Sequence, residues 1–294
     1  MNFSIIFVQK SKINHVIEMK ILITNDDCYT AKGIGVLYDI LKPYGDITSV
    51  APKKPQSGMS MAVSMGLKPI GVKKIGQTSG LGSWYLDGTP ASCIKYGIDN
   101  IFHPQTPDLI VSGINHGSNA ATASLYSGTI GAAMEAAVNG IPGIGVSLDC
   151  YSPDADFSAV KEWLPSILDK LLPILKYCSQ GAFYNINFPN LPSEKISGVK
   201  ICHMGKAHWE REYRPYFEYL HEIGATACSK DIEYVREAEQ NGETVYVMAG
   251  DFTDNGDNKY PSDHLLLSEG YITITPQNID NTDYEEIQRL CGII

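Results

Sequence analysis

Two adjacent carboxylates, Asp26 and Asp27, follow the apolar run Ile21-Leu22-Ile23-Thr24 after a single asparagine, Asn25. Neighbouring acids repel each other and are costly to desolvate unless a cation neutralises them. Oxygen ligands suit a hard divalent ion such as Mg²⁺ or Mn²⁺. A helix N-cap with two solvated acids competes with that reading, because Asp is common before helices. A second run ends in Val50-Ala51-Pro52 and leads through lysines to Ser57, whose hydroxyl offers the same ion a neutral oxygen. Most loop serines only make turns, so Ser57 decides nothing by itself.

The run Ser112-Gly113-Ile114-Asn115-His116-Gly117-Ser118-Asn119 says more. Asn115 offers a carbonyl oxygen to a metal without adding charge, and Asn119 offers N–H donors to an anion. Ser127, Gly128 and Thr129 then open an alanine-rich helical stretch. Free N–H groups, the positive end of the helix dipole and two hydroxyls would converge there on one phosphate. An ordinary Ser/Thr cap explains Thr129 taken singly; the combination favours an anion site. His116 is placed either to assist proton transfer or simply to sit in solvent. Thr89 and Pro90 read as a helix cap and its first residue. Asn185 and Asn187 share one face of a strand end and are polar enough to line a site. No G-x-G-x-x-G, G-x-x-x-x-G-K-S or G-x-S-x-G pattern follows a strand, which weakens dinucleotide, P-loop and esterase readings. A divalent ion beside a phosphate-sized pocket is the apparatus for hydrolysing phosphate esters.

These residues need strands and helices to position them. Runs at 21–24, 47–50, 109–112, 144–147 and 183–186 are short and rich in branched residues, as strands buried on both faces should be. Helical stretches fall at about 33–42, 90–101, 128–139 and 156–178. The alternation predicts an α/β fold, with a mainly parallel sheet and helices on both sides. Ligands of such sheets bind beyond the carboxyl ends of the strands. Beyond residue 200 the pattern breaks, with one strand at 245–248 and a polar helix or loop at 233–243. It resumes at Tyr271-Ile272-Thr273-Ile274-Thr275-Pro276, and a short helix over about 283–290 ends the chain. The core is therefore expected over 19–203 and 266–294, with 204–265 as an extended hairpin. The hairpin's aromatics (Trp209, Tyr213, Tyr216, Phe217, Tyr219) predict packing against another subunit. Residues 1–18 read as a dispensable extension.

The 294 residues are 44% hydrophobic and 19% charged, the composition of a globular protein rather than a disordered or fibrous one. The net charge is −10, and the acidic excess lies between about Glu210 and Glu286. With no basic stripe to follow a phosphate backbone, nucleic-acid binding is not expected. No apolar run is long enough to span a bilayer. Seven cysteines, an odd number with no C-x-x-C pair, suggest a reducing cytoplasm.

Taken together, these motifs resemble the SurE family of metal-dependent 5′-nucleotidases. The resemblance runs in order through Ile21 to Asp27, Val50 to Ser57, Gly88-Thr89-Pro90, Val111 to Asn119, Tyr126 to Thr129, Asn185 to Pro189 and Gly270 to Pro276. It implies a Rossmann-like three-layer core with a C-terminal extended hairpin exchanged between subunits of a homodimer or homotetramer. It also implies release of phosphate from nucleoside 5′- and sometimes 3′-monophosphates, and in some members from short polyphosphate. One divalent ion per subunit, Mg²⁺ or Mn²⁺, would be held by Asp26, Asp27, Ser57 and Asn115. Phosphate contacts would fall on Asn119, Ser127, Gly128 and Thr129. Catalysis would use a metal-activated water that Asp26 or Asp27 orients or deprotonates. Two departures stand out: Cys28 replaces the glycine usual after the paired acids, and the segment between Trp209 and Met248 is longer than usual. If position 28 needs φ > 0, a cysteine there costs roughly 1–2 kcal/mol. Two other classes compete with the leading one. A dehalogenase-like phosphatase forming an aspartyl-phosphate would separate its acids by one residue. A nucleotide- or metal-sensing module would bind without turnover.

Overall fold

The computed structural model describes residues 19–77, 79–254, 256 and 260–294, so the expected extension over 1–18 lies outside the described residues. Thirteen strands are numbered in chain order. They are β1 (Met19–Thr24), β2 (Gly45–Pro52), β3 (Val72–Gly76), β4 (Ser83–Leu86), β5 (Leu109–His116), β6 (Gly143–Leu148) and β7 (Ala182–Phe188). Then come β8 (Gly198–Ile201), β9 (His208–Glu210), β10 (Tyr213–Pro215), β11 (Tyr246–Met248), β12 (Asp251–Thr253) and β13 (Tyr271–Asn278). The helices are α1 (Lys32–Leu41), α2 (Pro90–Tyr96), α3 (Ala123–Tyr126), α4 (Gly128–Val138), α5 (Ser158–Leu171), α6 (Tyr216–Glu222), α7 (Ser229–Gln240), α8 (Asp263–Ser268) and α9 (Tyr284–Cys291).

The main sheet runs in the order β3-β4-β2-β1-β5-β6-β7-β13-β8. Strands β4, β2, β1, β5, β6 and β7 are mutually parallel, whereas β3 and β13 run antiparallel to β4 and β7. From β1 the chain winds outward through β2 to β4, then returns to β5 and winds the other way through β6 to β7. The order therefore reverses between β1 and β5. A crevice opens at such a reversal, because the connections leaving the two strands diverge.

Side-chain alternation explains the layering. In β1, Ile21 and Ile23 pack with Leu37 and Leu41 of α1 and Leu164 and Leu168 of α5, while Leu22 packs on the opposite face with Ile94 of α2 and Ala132 and Ala136 of α4. Strand β5 repeats the pattern, Leu109 and Val111 facing one way and Ile110 the other. All of these are buried, which accounts for the near-continuous apolar runs of the central strands. The edge strands β3 and β8 carry no such signal, since both are mostly exposed or half-buried.

After β8 the chain leaves the sheet. Strand β9 pairs antiparallel with β12, and β10 with β11, forming two successive rungs of one hairpin whose far end carries α6 and α7. Of its aromatics, Trp209, Tyr213 and Phe217 are exposed, and Tyr216 and Tyr219 are half-buried. The return to the core is made by α8, which begins at the buried Asp263. One Asp263 oxygen accepts main-chain N–H groups from Ala121, Gly205 and His264 at 3.0, 2.9 and 2.8 Å. That carboxylate ties the base of the hairpin to the loop after β5.

Candidate metal and phosphate site

The loop leaving β1 and the carboxyl end of β5 meet at the sheet reversal. Asp26 is almost fully buried, and its Oδ1 accepts the hydroxyl of Thr129 at 2.6 Å. Burial pushes its pKa from 3.8 up to about 6; the Thr129 hydrogen bond opposes the rise and the charge of Asp27 adds to it. Asp27 is more open. Its Oδ2 accepts the main-chain N–H of His116 at 3.1 Å and lies 2.9 Å from His116 Nδ1. His116 therefore neither sits free in solvent nor stands apart from the acids. Its ring lies edge-on to Phe157, and it braces Asp27.

Asn115 reaches the same place through an irregularity. The pairing of β5 with β6 skips from Ser112 to Asn115, a bulge of the kind that re-aims a side chain at a strand end. The Asn115 amide N–H donates to the carbonyl of Gly117 at 2.8 Å, which leaves Oδ1 as its available oxygen. The buried Asn25 Oδ1 has no hydrogen-bond partner, while its amide donates to the Cys28 carbonyl. The Gln56 N–H donates to the Asp26 carbonyl at 2.7 Å, so the chain passes Asp26 one residue before the exposed Ser57.

Helix α4 closes the site. Ser127 is its N-cap, with Oγ accepting the Ile130 N–H at 3.2 Å. A Cβ at Gly128 would lie 2.9 Å from Asp26 Cβ and 3.2 Å from the Gln56 carbonyl oxygen. Only glycine lets the helix end approach this closely. The N-terminal turn of α4 thus lies against the Asp26 carboxylate, where its dipole favours negative charge.

The eight residues singled out in the sequence lie in the loops after β1 and β2, at the end of β5 and in the loop beyond it, and at the start of α4. Asp26, Asp27 and Asn115 converge, and Gly128 adjoins Asp26. Thr129 is fully buried and its one hydroxyl proton goes to Asp26. Asn119 is buried too: its amide donates to Ser147 Oγ at 2.8 Å, its N–H to Asn187 Oδ1 at 2.8 Å, and its carbonyl accepts from Asn185 at 2.8 Å. Asn187 in turn donates to Asn185 at 2.9 Å. Asn119 keeps one amide hydrogen for a ligand. Ser147 and Asp263, which organise this network and the loop beside it, carry no motif; for Ser147 the one available signal is a polar residue inside an apolar strand run.

The family model described as Survival protein SurE matches residues 21–211. The chain belongs to the SurE family. It is 35% identical over 278 residues to the 5′-nucleotidase SurE of Christiangramia forsetii, covering 92% of this chain and 95% of that protein. It is 36% identical over 274 residues to the 5′-nucleotidase SurE of Bacteroides fragilis, with the same shares covered. The crystal structure of the SurE protein from Aquifex aeolicus superposes with a TM-score of 0.71 at 27% identity, covering 93% of this chain and 98% of that one.

Position 28, where the resemblance implies a glycine, does adopt positive φ, since Cys28 has φ 95°. Cys28→Gly removes about 1–2 kcal/mol of strain, less roughly 0.5–1 kcal/mol of glycine's extra unfolded-state entropy. A urea midpoint at or below wild type would show that the cysteine is unstrained. Asp26→Asn removes a buried charge, so the metal-free variant is expected to gain up to about 3 kcal/mol at pH 7.5. Scanning calorimetry in EDTA checks this, and a melting temperature no higher than wild type would refute it.

Proposed function

We propose that this SurE protein is a metal-dependent 5′-nucleotidase that releases phosphate from nucleoside monophosphates. The observation that carries the reading is the convergence of Asp26, Asp27 and Asn115 at the sheet reversal, against the N-terminal turn of α4. Two acids, an amide oxygen and a hydroxyl form an oxygen donor set that fits a hard divalent ion such as Mg²⁺ or Mn²⁺. The raised pKa of Asp26 and the unpartnered Asn25 oxygen support a cation at this place. Among the described residues no group of three or more His, Cys, Asp or Glu is arranged to hold a metal; Asn115 and Ser57 would add neutral oxygens to those of Asp26 and Asp27.

A bound divalent ion would polarise the phosphoryl oxygens and lower the pKa of an attacking water. The remaining work falls to the chain. Thr129 fixes one oxygen of Asp26, and His116 fixes one oxygen of Asp27. Asp27 Oδ1, on the more accessible acid, is positioned to orient the water and take its proton. Ser127 uses its oxygen as a cap acceptor and keeps its O–H to donate to a phosphoryl oxygen, beside the N–H of Gly128 and the remaining amide hydrogen of Asn119. These donors are held in place before substrate arrives, which is what makes such groups effective in a transition state. Burial and the Thr129 hydrogen bond make Asp26 a poor nucleophile, which disfavours an aspartyl-phosphate.

The exposed aromatics of the hairpin support association of copies of this chain through that arm, as a dimer or tetramer. The seven unpaired cysteines support residence in a reducing compartment, the cytoplasm, and no helix among the described residues is long and apolar enough to cross a membrane.

Phosphate release should be measured across AMP, GMP, nucleoside 3′-monophosphates, short polyphosphate and p-nitrophenyl phosphate. Release is expected to vanish in EDTA, return with Mn²⁺ or Mg²⁺, and fall at least a thousandfold in Asp27→Ala, on the scale of losing an essential electrostatic group. Nucleotide binding without turnover by metal-loaded protein would instead indicate a sensor. Replacing 216–245 by a short turn is expected to lower the number of subunits, taken as the mass from light scattering divided by the shortened chain's own mass; an unchanged number would remove the arm from the interface.

A further inference from the structure

Along the same carboxyl edge of the sheet, one strand beyond the paired acids, lies a second concavity. Its volume is about 300 Å³, at the small end of the range for ligand pockets. Its lining includes Ser118, Asp149, Tyr151, Trp209, Phe252 and His264. The loop from Asn115 to Asn119 joins it to the metal crevice. Asn115 stands at one end of the loop, Ser118 lines the cavity at the other, and the Tyr151 ring lies so close to Gly117 between them that a Cβ there would come within 2.4 Å of it.

Three features fit this cavity to a flat, hydrogen-bonding ring. Trp209 and Phe252 face each other across the first rung of the hairpin, with ring centroids 5.2 Å apart, and Phe252 meets His264 edge-on at 6.0 Å. Both rings remain about two-fifths exposed, although they sit at the base of the arm against the core. Asp149 directly follows β6, with its N–H bonded to the Phe188 carbonyl at 2.9 Å, so its carboxylate is carried on a rigid strand end.

We propose that this cavity seats the nucleobase of the substrate, with Trp209, Phe252 and Tyr151 as its apolar walls and Asp149 as the acceptor that favours guanine over adenine. The proposal rests on the nucleotidase reading and names the part of the substrate that reading leaves open. A carboxylate offers only acceptors. Guanine presents two adjacent donors, N1–H and the 2-amino group, whereas adenine presents its amino donor beside an acceptor nitrogen. The Asp149 carboxylate can accept both guanine donors at once, whereas against adenine one of its oxygens faces an acceptor nitrogen, so the pairing favours guanine. Stacking on the aromatic walls supplies affinity without regard to base.

The test compares GMP and AMP with ribose 5-phosphate, which carries the same ester and no base. Trp209→Ala and Phe252→Ala are expected to raise KM for GMP roughly tenfold, the scale of one lost stacking contact, and to leave kcat/KM for ribose 5-phosphate within twofold. Retained ribose 5-phosphate turnover also shows that each variant is folded. Asp149→Asn should bring the GMP-to-AMP ratio of kcat/KM towards one. Equal losses on ribose 5-phosphate and GMP, or no loss on either, overturn the base seat, and an unchanged ratio in Asp149→Asn overturns its role. Guanosine alone, added in EDTA, should quench wild-type tryptophan fluorescence and fail to do so in Trp209→Ala. That readout needs no turnover, so quenching in a protein that hydrolyses no phosphate ester would keep the base seat and refute the nucleotidase reading, whereas the absence of quenching in wild type overturns the base seat.

Discussion

A buried carboxylate beside a second carboxylate is the constraint around which this molecule is built. Asp26 is nearly sealed from water and Asp27 adds its charge from the next position, so the pair is stable as two anions only with compensation. Part of it comes from the protein. Thr129 donates a hydrogen bond, the N-terminal turn of α4 presents its positive end, and His116 braces Asp27. In the proposed function a bound cation would supply the rest.

Much else follows from bringing α4 against Asp26. The helix approaches because Gly128 has no side chain. It packs on the sheet because alanines fill its inward face, and Gly131 lets the Ser60 carbonyl approach it, while the Ser60 N–H and hydroxyl bond the carbonyls of Tyr126 and Leu125 in the preceding α3. A strand end, a loop and a helix terminus are thereby locked at one point, and each contributes an oxygen or a donor to it. The buried Asn119–Asn185–Asn187–Ser147 network does the same for the neighbouring loop, a polar core that works because its members satisfy one another.

The central strands and their helices were legible because burial on both faces forces apolar runs, and the strand ends that carry Asp26, Asp27 and Asn115 were legible with them. The hydrogen bonds of Thr129 to Asp26 and of Asn119 to Ser147 were not, because their partners are distant in sequence. Asp263 was hidden for a related reason. A carboxylate that gathers main-chain N–H groups from three places has partners far apart in sequence, so no local spacing marks it. The peripheral β3 and β8 were missed because half-exposed edge strands carry no apolar signature.

The two-rung hairpin has a consequence for how this protein changes over time. Its first rung carries aromatic rings to the rim of the cavity beside the loop after β5, while its outer half lies beyond the second rung. Insertions past that rung lengthen the arm without moving Trp209 or Phe252, because strand pairing below isolates them. Remodelling of the outer arm can therefore alter who the molecule associates with and leave untouched what enters the crevice.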